Sequence, residues 1–261
     1  MAASLIIRGV CKSYHGKDGA PPLVVLEGVD FTVPEGSIVS LVGLNGSGKT
    51  TLLRIIAGLE PPSRGAVELC YAEGNSAPCH GIGMVFQEVS LLPWRTVREN
   101  IEIGLEFLGR SAPERRAVAL ELMEIFGLAE YENKCPKELS GGMRQKAAIA
   151  RTLAPRPGLV LMDEPFSALD CQTRNKLQSF LLDVWSTRGD TILFVTHNGE
   201  EAVFLSDQIV VISPKPSRVV EVIPVNIPRP RDRTDPACNA IRRRVLDCLS
   251  RSTAAKHEHP A

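Results

Sequence analysis

The sequence has no long hydrophobic run, no excess of either charge and no closely paired cysteines. No apolar stretch approaches the roughly 18 residues that span a bilayer, and residues 1–14 lack the pattern of a secretory signal, so we expect neither feature. Lysine plus arginine number 30, as do aspartate plus glutamate. Proteins held to nucleic acid by bulk charge are normally basic, so this balance argues against a nucleic-acid partner.

The seven cysteines are odd in number, scattered, and without a C-x-x-C pair. This pattern is typical of a protein in a reducing cytosol and of neither a disulfide framework nor a zinc site. We therefore interpret them as buried or incidental thiols. They are Cys11, Cys70, Cys79, Cys135, Cys171, Cys238 and Cys248.

Short apolar runs indicate an α/β protein. Residues 37–42, 159–162 and 191–195 form runs bounded by turn signals, which are typical of parallel strands buried on both faces. Weaker alternation near the N-terminus predicts an additional antiparallel sheet. A length of 261 residues suits one or two domains with a sizeable core.

The middle of the chain has a helical pattern. A capping-box sequence begins at Ser111, and Gly127 is placed to end the helix that follows. We therefore expect residues of about 87–157 to form a helical insertion between strands of the core. After residue 213 the composition shifts to proline, arginine and aspartate, and one amphipathic helix is expected near the C-terminus, with Ile241, Val245 and Leu249 on its apolar face.

One motif carries the first functional signal. Residues 43–50 match G-x-x-x-x-G-K-[ST], after a predicted strand and before a predicted helix closed by Gly58. Such glycines let consecutive N–H groups face an anion at a helix N-terminus. Lys49 can reach the outer phosphates and Thr50 can ligate Mg²⁺. Nucleotide binding is predicted, but this motif alone leaves kinases, GTPases and many ATPases open.

Polar residues end the other predicted strands. Asp163 and Glu164 follow one strand, where the first can hold a magnesium shell and the second can polarise an attacking water. His197 follows the next strand and can face the same phosphate site. Gln87 follows a shorter apolar run and could reach magnesium or the attacking water.

A second glycine-rich segment distinguishes the alternatives. Ser140, Gly141 and Gly142 open a predicted helix and form another anion-binding N-terminus, although serine is also an ordinary helix cap. One chain with one nucleotide does not need two such sites. Two chains facing head to tail would each lend this segment to the other's γ-phosphate.

The order and spacing of these motifs resemble the ATP-binding subunit of ABC transporters over about residues 4–230. The resemblance implies an α/β P-loop (RecA-like) ATPase core, an N-terminal antiparallel β subdomain and an inserted helical subdomain at about 87–157, followed by a tail at 231–261 with one helix. In this family Tyr14 corresponds to an aromatic that stacks on adenine, and Asp170 belongs to the D-loop that couples two sites.

The resemblance implies ATP and Mg²⁺ as cofactors, in a sandwich dimer of two copies. Catalytic roles fall to Glu164 as general base, His197, Gln87 and Lys49, and magnesium contacts fall to Thr50, Gln87 and Asp163. The nucleotide-binding positions are Tyr14, Gly43, Leu44, Asn45, Gly46, Ser47, Gly48, Lys49, Thr50, Thr51, Ser140, Gly141, Gly142 and Asp170.

A finer resemblance, at residues 91–101 and 195–218, is to the nitrate/sulfonate/taurine importer branch. It implies permease subunits as partners, a solute-binding protein acting indirectly, and a peripheral location on the cytoplasmic face of the inner membrane. Trp94 would contact the permease. Asn198 departs from the aspartate usual in this branch, and Pro155 and Pro157 receive no function. The alternative is a non-transport ABC ATPase acting on DNA or ribosomes.

Overall fold

The computed structural model describes residues 2–15, 21–71 and 81–257, with side chains through residue 252, so Cys79 lies outside the described residues. Across these ranges, no helix is both long enough and apolar enough to cross a bilayer. The elements, in chain order, are β1 (Ser4–Tyr14), β2 (Leu23–Val33), β3 (Ile38–Val42), α1 (Lys49–Ile56), β4 (Arg64–Cys70), β5 (Ile82–Val85), α2 (Val97–Phe107), α3 (Ala112–Phe126), α4 (Gly141–Leu153), β6 (Leu159–Asp163), α5 (Cys171–Arg188), β7 (Ile192–Thr196), α6 (Gly199–Leu205), β8 (Gln208–Ile212), β9 (Val219–Pro224) and α7 (Pro236–His257).

Residues 3–73 and 191–261 form one compact unit built on two sheets. The N-terminal sheet has the order β2-β1-β4 and is antiparallel throughout, as the sequence predicts. In the second sheet β3 lies between β7 and β8 and is parallel to both, while β9 adds to β8 in the antiparallel direction. All five residues of β3 and of β7 are buried, which explains why apolar residues predominate in both strands.

The C-terminal segment of this unit covers α6. Val245 and Leu249 of α7 are buried in one apolar cluster with Ala202 and Val203 of α6, and Ile241 packs against that cluster. This is the apolar face predicted from the sequence.

Arg231 binds the connection before α7 to the end of α6. Its side chain is only 7% exposed. The guanidinium donates to the carbonyl oxygens of Val203 and Ser206, both at 2.7 Å, and of Ile227 at 2.9 Å. Carbonyls at a helix end have no partner within the helix, so this arginine satisfies groups that would otherwise be unpaired. Burial lowers the pKa of Arg231 to about 10, which still leaves it charged at neutral pH.

Residues 1–2 and 74–190 form the other unit. Its strands β5 and β6 pair in parallel, and its helices include α2 to α5. Ser111 begins α3, where its backbone N–H donates to Glu114 at 2.9 Å, and Gly127 ends the helix in the left-handed conformation at φ 61°. Both helix boundaries agree with the sequence prediction.

Pro155 and Pro157 each pack closely against a glycine of this unit. A Cβ placed on Gly104 of α2 would lie 2.6 Å from Cγ of Pro155. A Cβ on Gly83 of β5 would lie 3.0 Å from Cγ of Pro157. Each proline therefore packs against a glycine, which is a structural reason for residues that the sequence left without a function.

Buried Asn100 shapes the loop before α2. Its amide nitrogen donates to the carbonyls of Leu92, Arg95 and Thr96 at 2.9–3.1 Å, and its oxygen accepts from the Leu92 N–H at 2.7 Å. The loop so held presents Trp94 with 74% of its surface exposed.

Candidate functional site

Residues 43–50 join β3 to α1 as a tight loop. Gly46 and Gly48 have φ values of 77° and 88°, a region that residues with a Cβ rarely adopt. Gly48 is the N-cap of α1, so the first N–H groups of that helix lie at the loop. Backbone donors and the positive end of the helix dipole together favour an anion here.

The loop is enclosed by its neighbours. A Cβ on Gly43 would lie 2.7 Å from Cγ1 of Ile212, at the end of β8. A Cβ on Gly48 would lie 2.8 Å from Cγ1 of Val25, on β2. Alanine at either position would force one of these walls to move, which explains why glycine stands at both.

The two polar side chains inside the loop suit a phosphate ligand. Lys49 is buried, and its ammonium donates to the carbonyls of Gly43 at 2.8 Å and Leu44 at 3.1 Å. The hydroxyl of Ser47 is buried without a hydrogen-bond partner among the described residues. A buried polar atom of this kind normally indicates a ligand or water, so the observation fits a bound phosphate group.

Ser217 supports the loop from outside and was missed by the sequence reasoning. Its hydroxyl is fully buried and donates to the carbonyl of Ser47. Its backbone is held by β2, because its N–H donates to Val25 and its carbonyl accepts from Glu27, both at 2.9 Å. The residue lies 170 positions from its partner, so no local motif could have identified it.

The remaining predicted loop residues are accessible. Thr50, the proposed magnesium ligand, is exposed in the first turn of α1. Leu44, Asn45 and Gly46 are also exposed on the outer side of the loop. Thr51 is instead hydrogen-bonded to Tyr14.

Tyr14 ends β1 and is 37% exposed. Its hydroxyl is hydrogen-bonded to Glu60 and to Thr51, and the ammonium of Lys12 lies 5.1 Å from the ring centroid. Burial and the hydrogen bond to Glu60 raise the pKa of Tyr14. An accessible ring held in this way suits stacking on a planar ligand.

His197 lies exposed between β7 and α6 in a turn with a defined hydrogen-bond pattern. The buried hydroxyl of Thr196 donates to Glu201 at 2.6 Å and accepts from the N–H of Asn198 at 3.0 Å. The side-chain oxygen of Asn198 accepts from the N–H of Glu200 at 2.9 Å and caps α6. Asparagine therefore supplies the same kind of acceptor as the aspartate usual at this position.

Glu164, which lies in the unit of residues 1–2 and 74–190, has an unusual backbone conformation. It follows the buried Asp163 at the end of β6, and its φ is 43°. Few residues other than glycine adopt this region, and such strain concentrates at functional sites. Ser167 stabilises the turn by donating to the Glu164 carbonyl from its N–H at 3.2 Å and its hydroxyl at 3.0 Å.

Two other predicted site residues are helix caps in this structure. Ser140 is the N-cap of α4 and its hydroxyl accepts from the N–H of Met143 at 3.3 Å. Asp170 caps α5 by accepting from the N–H groups of Gln172 and Thr173, both at 3.0 Å. Hydrogen bonds from the side chain and the backbone of Thr173 lower the pKa of Asp170.

The remaining predicted site residues are the two glycines that follow Ser140, and Gln87. Gly141 and Gly142 form the first turn of α4, where a Cβ on Gly142 would lie 2.9 Å from Cγ2 of Thr173. Gln87 is exposed two residues after β5.

Comparisons with known proteins agree with the motifs. The family model described as ABC transporter matches residues 26–167. The nitrate import ATP-binding protein of Synechocystis sp. is 41% identical over 88% of this chain and 87% of its own length. The taurine import ATP-binding protein of Rhizobium johnstonii is 47% identical over 75% of this chain and 74% of its own.

A solved structure supports the fold as well. The dimeric, post-hydrolysis state of the ATP-binding cassette MJ0796, bound to ADP and Pi, superposes with a TM-score of 0.71 at 32% identity. The match covers 85% of this chain and 99% of that one. The expected α/β P-loop ATPase fold is therefore confirmed.

Proposed function

The chain belongs to the ABC transporter ATP-binding family, and from that premise we propose that it hydrolyses Mg-ATP to energise import of a small anionic solute such as nitrate, an alkyl sulfonate or taurine. The observation that carries the nucleotide part is the enclosed loop at residues 43–50, with its buried lysine and a serine hydroxyl that has no hydrogen-bond partner in the part of the chain that the structure describes. The names of the two relatives support import over the alternative of an ATPase acting on DNA or ribosomes.

Each residue near the phosphates has a proposed task. The N–H groups of the loop and Lys49 bind the phosphate oxygens, and Tyr14 stacks on adenine. Glu164 accepts a proton from the attacking water while the water oxygen bonds to the γ-phosphorus and ADP leaves. His197 contacts the γ-phosphate.

The oxygen donors of Thr50, Gln87 and Asp163 are the kind that Mg²⁺ prefers. We propose that these three residues hold the ion, either directly or through water. When bound, Mg²⁺ supplies neutralisation of phosphate charge. Asp163 is buried at its strand end, whereas Thr50 and Gln87 are exposed and open to a ligand.

The second anion-binding helix terminus supports a dimer. In the proposed arrangement each ATP lies between residues 43–50 of one copy and residues 140–142 of the other. Asp170 couples the two sites, and loss of the γ-phosphate lets the copies separate. The dimeric state of the solved relative supports this arrangement.

The proposed partners of the dimer are permease subunits, served in turn by a solute-binding protein, with the chain peripheral on the cytoplasmic face of the inner membrane. Trp94 is the proposed contact, because a large exposed aromatic on a loop held by Asn100 suits a protein interface. Gln87 would report the nucleotide state to this partner.

A pull-down tests the transport part. The tagged chain is recovered from gently solubilised native membranes and its partners are identified by mass spectrometry. A polytopic permease is expected with the parent chain, and its recovery should fall for Trp94→Ala but not for Leu59→Ala, an exposed apolar control. Recovery with ribosomes or DNA and without a permease would overturn the transport proposal.

A further inference from the structure

Three side chains beside the proposed adenine site form one polar cluster. Lys12 of β1 is only 9% exposed. Its ammonium lies 2.9 Å from the Glu60 carboxylate and donates to the carbonyl of Pro61, also at 2.9 Å. The same ammonium lies over one face of the Tyr14 ring. An ion pair this well shielded holds its two side chains in place more firmly than an exposed pair does.

The hydroxyl of Tyr14 is engaged on two sides. It donates to the Glu60 carboxylate and accepts from the hydroxyl of Thr51 in the first turn of α1. Hydrogen bonds from Lys12 and Tyr14 lower the pKa of Glu60, so this carboxylate is ionised at neutral pH. The ring is thereby fixed both to the loop after α1 and to the helix that begins at the phosphate loop.

We propose that Lys12 and Glu60 are positioning residues for the nucleotide base. They hold the ring of Tyr14 with one face against the Lys12 ammonium, so that the base stacks on the opposite face. This inference rests on the proposed role of Tyr14 in stacking.

The expected effect is on binding. An aromatic side chain that is already ordered does not lose rotamer freedom when the base arrives, and that loss would otherwise weaken binding about two- to tenfold. The chemical step involves none of these groups, so turnover at saturating ATP is not expected to change.

The test uses Lys12→Met and Glu60→Gln in the full chain. The dissociation constant for ATP is measured by calorimetry with magnesium chelated, and KM and kcat are measured with magnesium present. Both variants should weaken ATP binding and raise KM two- to tenfold at unchanged kcat. GTP should weaken by a similar factor, because stacking is tolerant of base identity.

A ligand without a base separates this effect from damage to the phosphate loop. Inorganic tripolyphosphate should compete equally well in the parent and in both variants. Lys12→Arg, which keeps the ion pair with Glu60, should retain most of the ATP affinity. The control is Glu68→Gln, which removes an exposed carboxylate on β4 that pairs with Arg8 at 3.6 Å, and it should match the parent.

Tyr14→Ala makes the failures distinguishable. If Tyr14→Ala weakens ATP binding while Lys12→Met and Glu60→Gln match the parent, the positioning proposal is wrong and the stacking role stands. If Tyr14→Ala leaves ATP binding unchanged, the stacking role is wrong and the inference is lost with it. Equal weakening of tripolyphosphate in the two variants would show that the cluster acts on the phosphate loop and would overturn the proposal.

Discussion

Replacing Arg231 by methionine should destabilise the unit that carries the phosphate loop. Methionine keeps much of the side-chain volume but removes the donors to Val203, Ser206 and Ile227. At least two buried carbonyls would then lack their partner, and each such group costs about 1–3 kcal/mol. The parent also bears a free-energy cost for burying the charged guanidinium, as the lowered pKa of Arg231 indicates. The methionine variant does not bear this cost, which offsets part of the loss. The expected net decrease in the free energy of unfolding is about 3 kcal/mol.

Thermal unfolding followed by circular dichroism measures the effect. For a chain of this size a loss of about 3 kcal/mol lowers Tm by roughly 6–12 °C. Arg231→Lys should fall between parent and Arg231→Met, because it keeps the charge with fewer and less well oriented donors. Arg243→Met is the matched control, since Arg243 is an exposed arginine on α7. A Tm for Arg231→Met within 2 °C of the parent would refute the idea that this arginine holds the C-terminal segment on α6.

Three further changes test other features. Glu164→Gly should raise the free energy of unfolding by up to about 1 kcal/mol because it relieves the left-handed backbone, whereas Glu164→Gln should leave the free energy of unfolding unchanged. Both variants should lower the rate of phosphate release from ATP by two orders of magnitude or more. A parental rate for Glu164→Gln would contradict the general-base role. Ser217→Ala should weaken ATP binding roughly fivefold in calorimetry, about 1 kcal/mol, because the Ser47 carbonyl loses its partner; unchanged affinity would show that Ser217 does not support the loop. The pKa of Cys248 is raised to about 11 by burial and Glu221, so at pH 8 its thiolate is about 100-fold scarcer than at an ordinary thiol; mass spectrometry after iodoacetamide treatment should find Cys171, which is exposed, alkylated far sooner, and equal rates would contradict the burial argument.

Local features of the fold were predictable from the sequence. The loop at residues 43–50 and the caps of α3 depend on neighbours within a few positions, so their chemistry can be read in a short window. The buried strand that ends at Asp163 was predictable for the same reason, since a continuous apolar run fits few alternatives.

Long-range contacts were not predictable. Ser217 meets Ser47 across 170 positions, and Lys12 meets Glu60 across 48, with no pattern that links either pair in advance. Pro155 receives no function from the sequence, because the glycine that it packs against lies on a different helix. The catalytic tasks of the predicted residues stay predictions.

The walls around the phosphate loop have a mechanical consequence. Ile212 packs against Gly43, Val25 packs against Gly48 and the Ser217 hydroxyl binds the Ser47 carbonyl, so the two ends of the loop have little freedom to rearrange. A loop that is already ordered does not lose conformational entropy when the ligand binds, so less of the binding free energy is spent on ordering the loop. The rest of the binding free energy is available to move other parts of the protein, while the loop itself keeps its conformation.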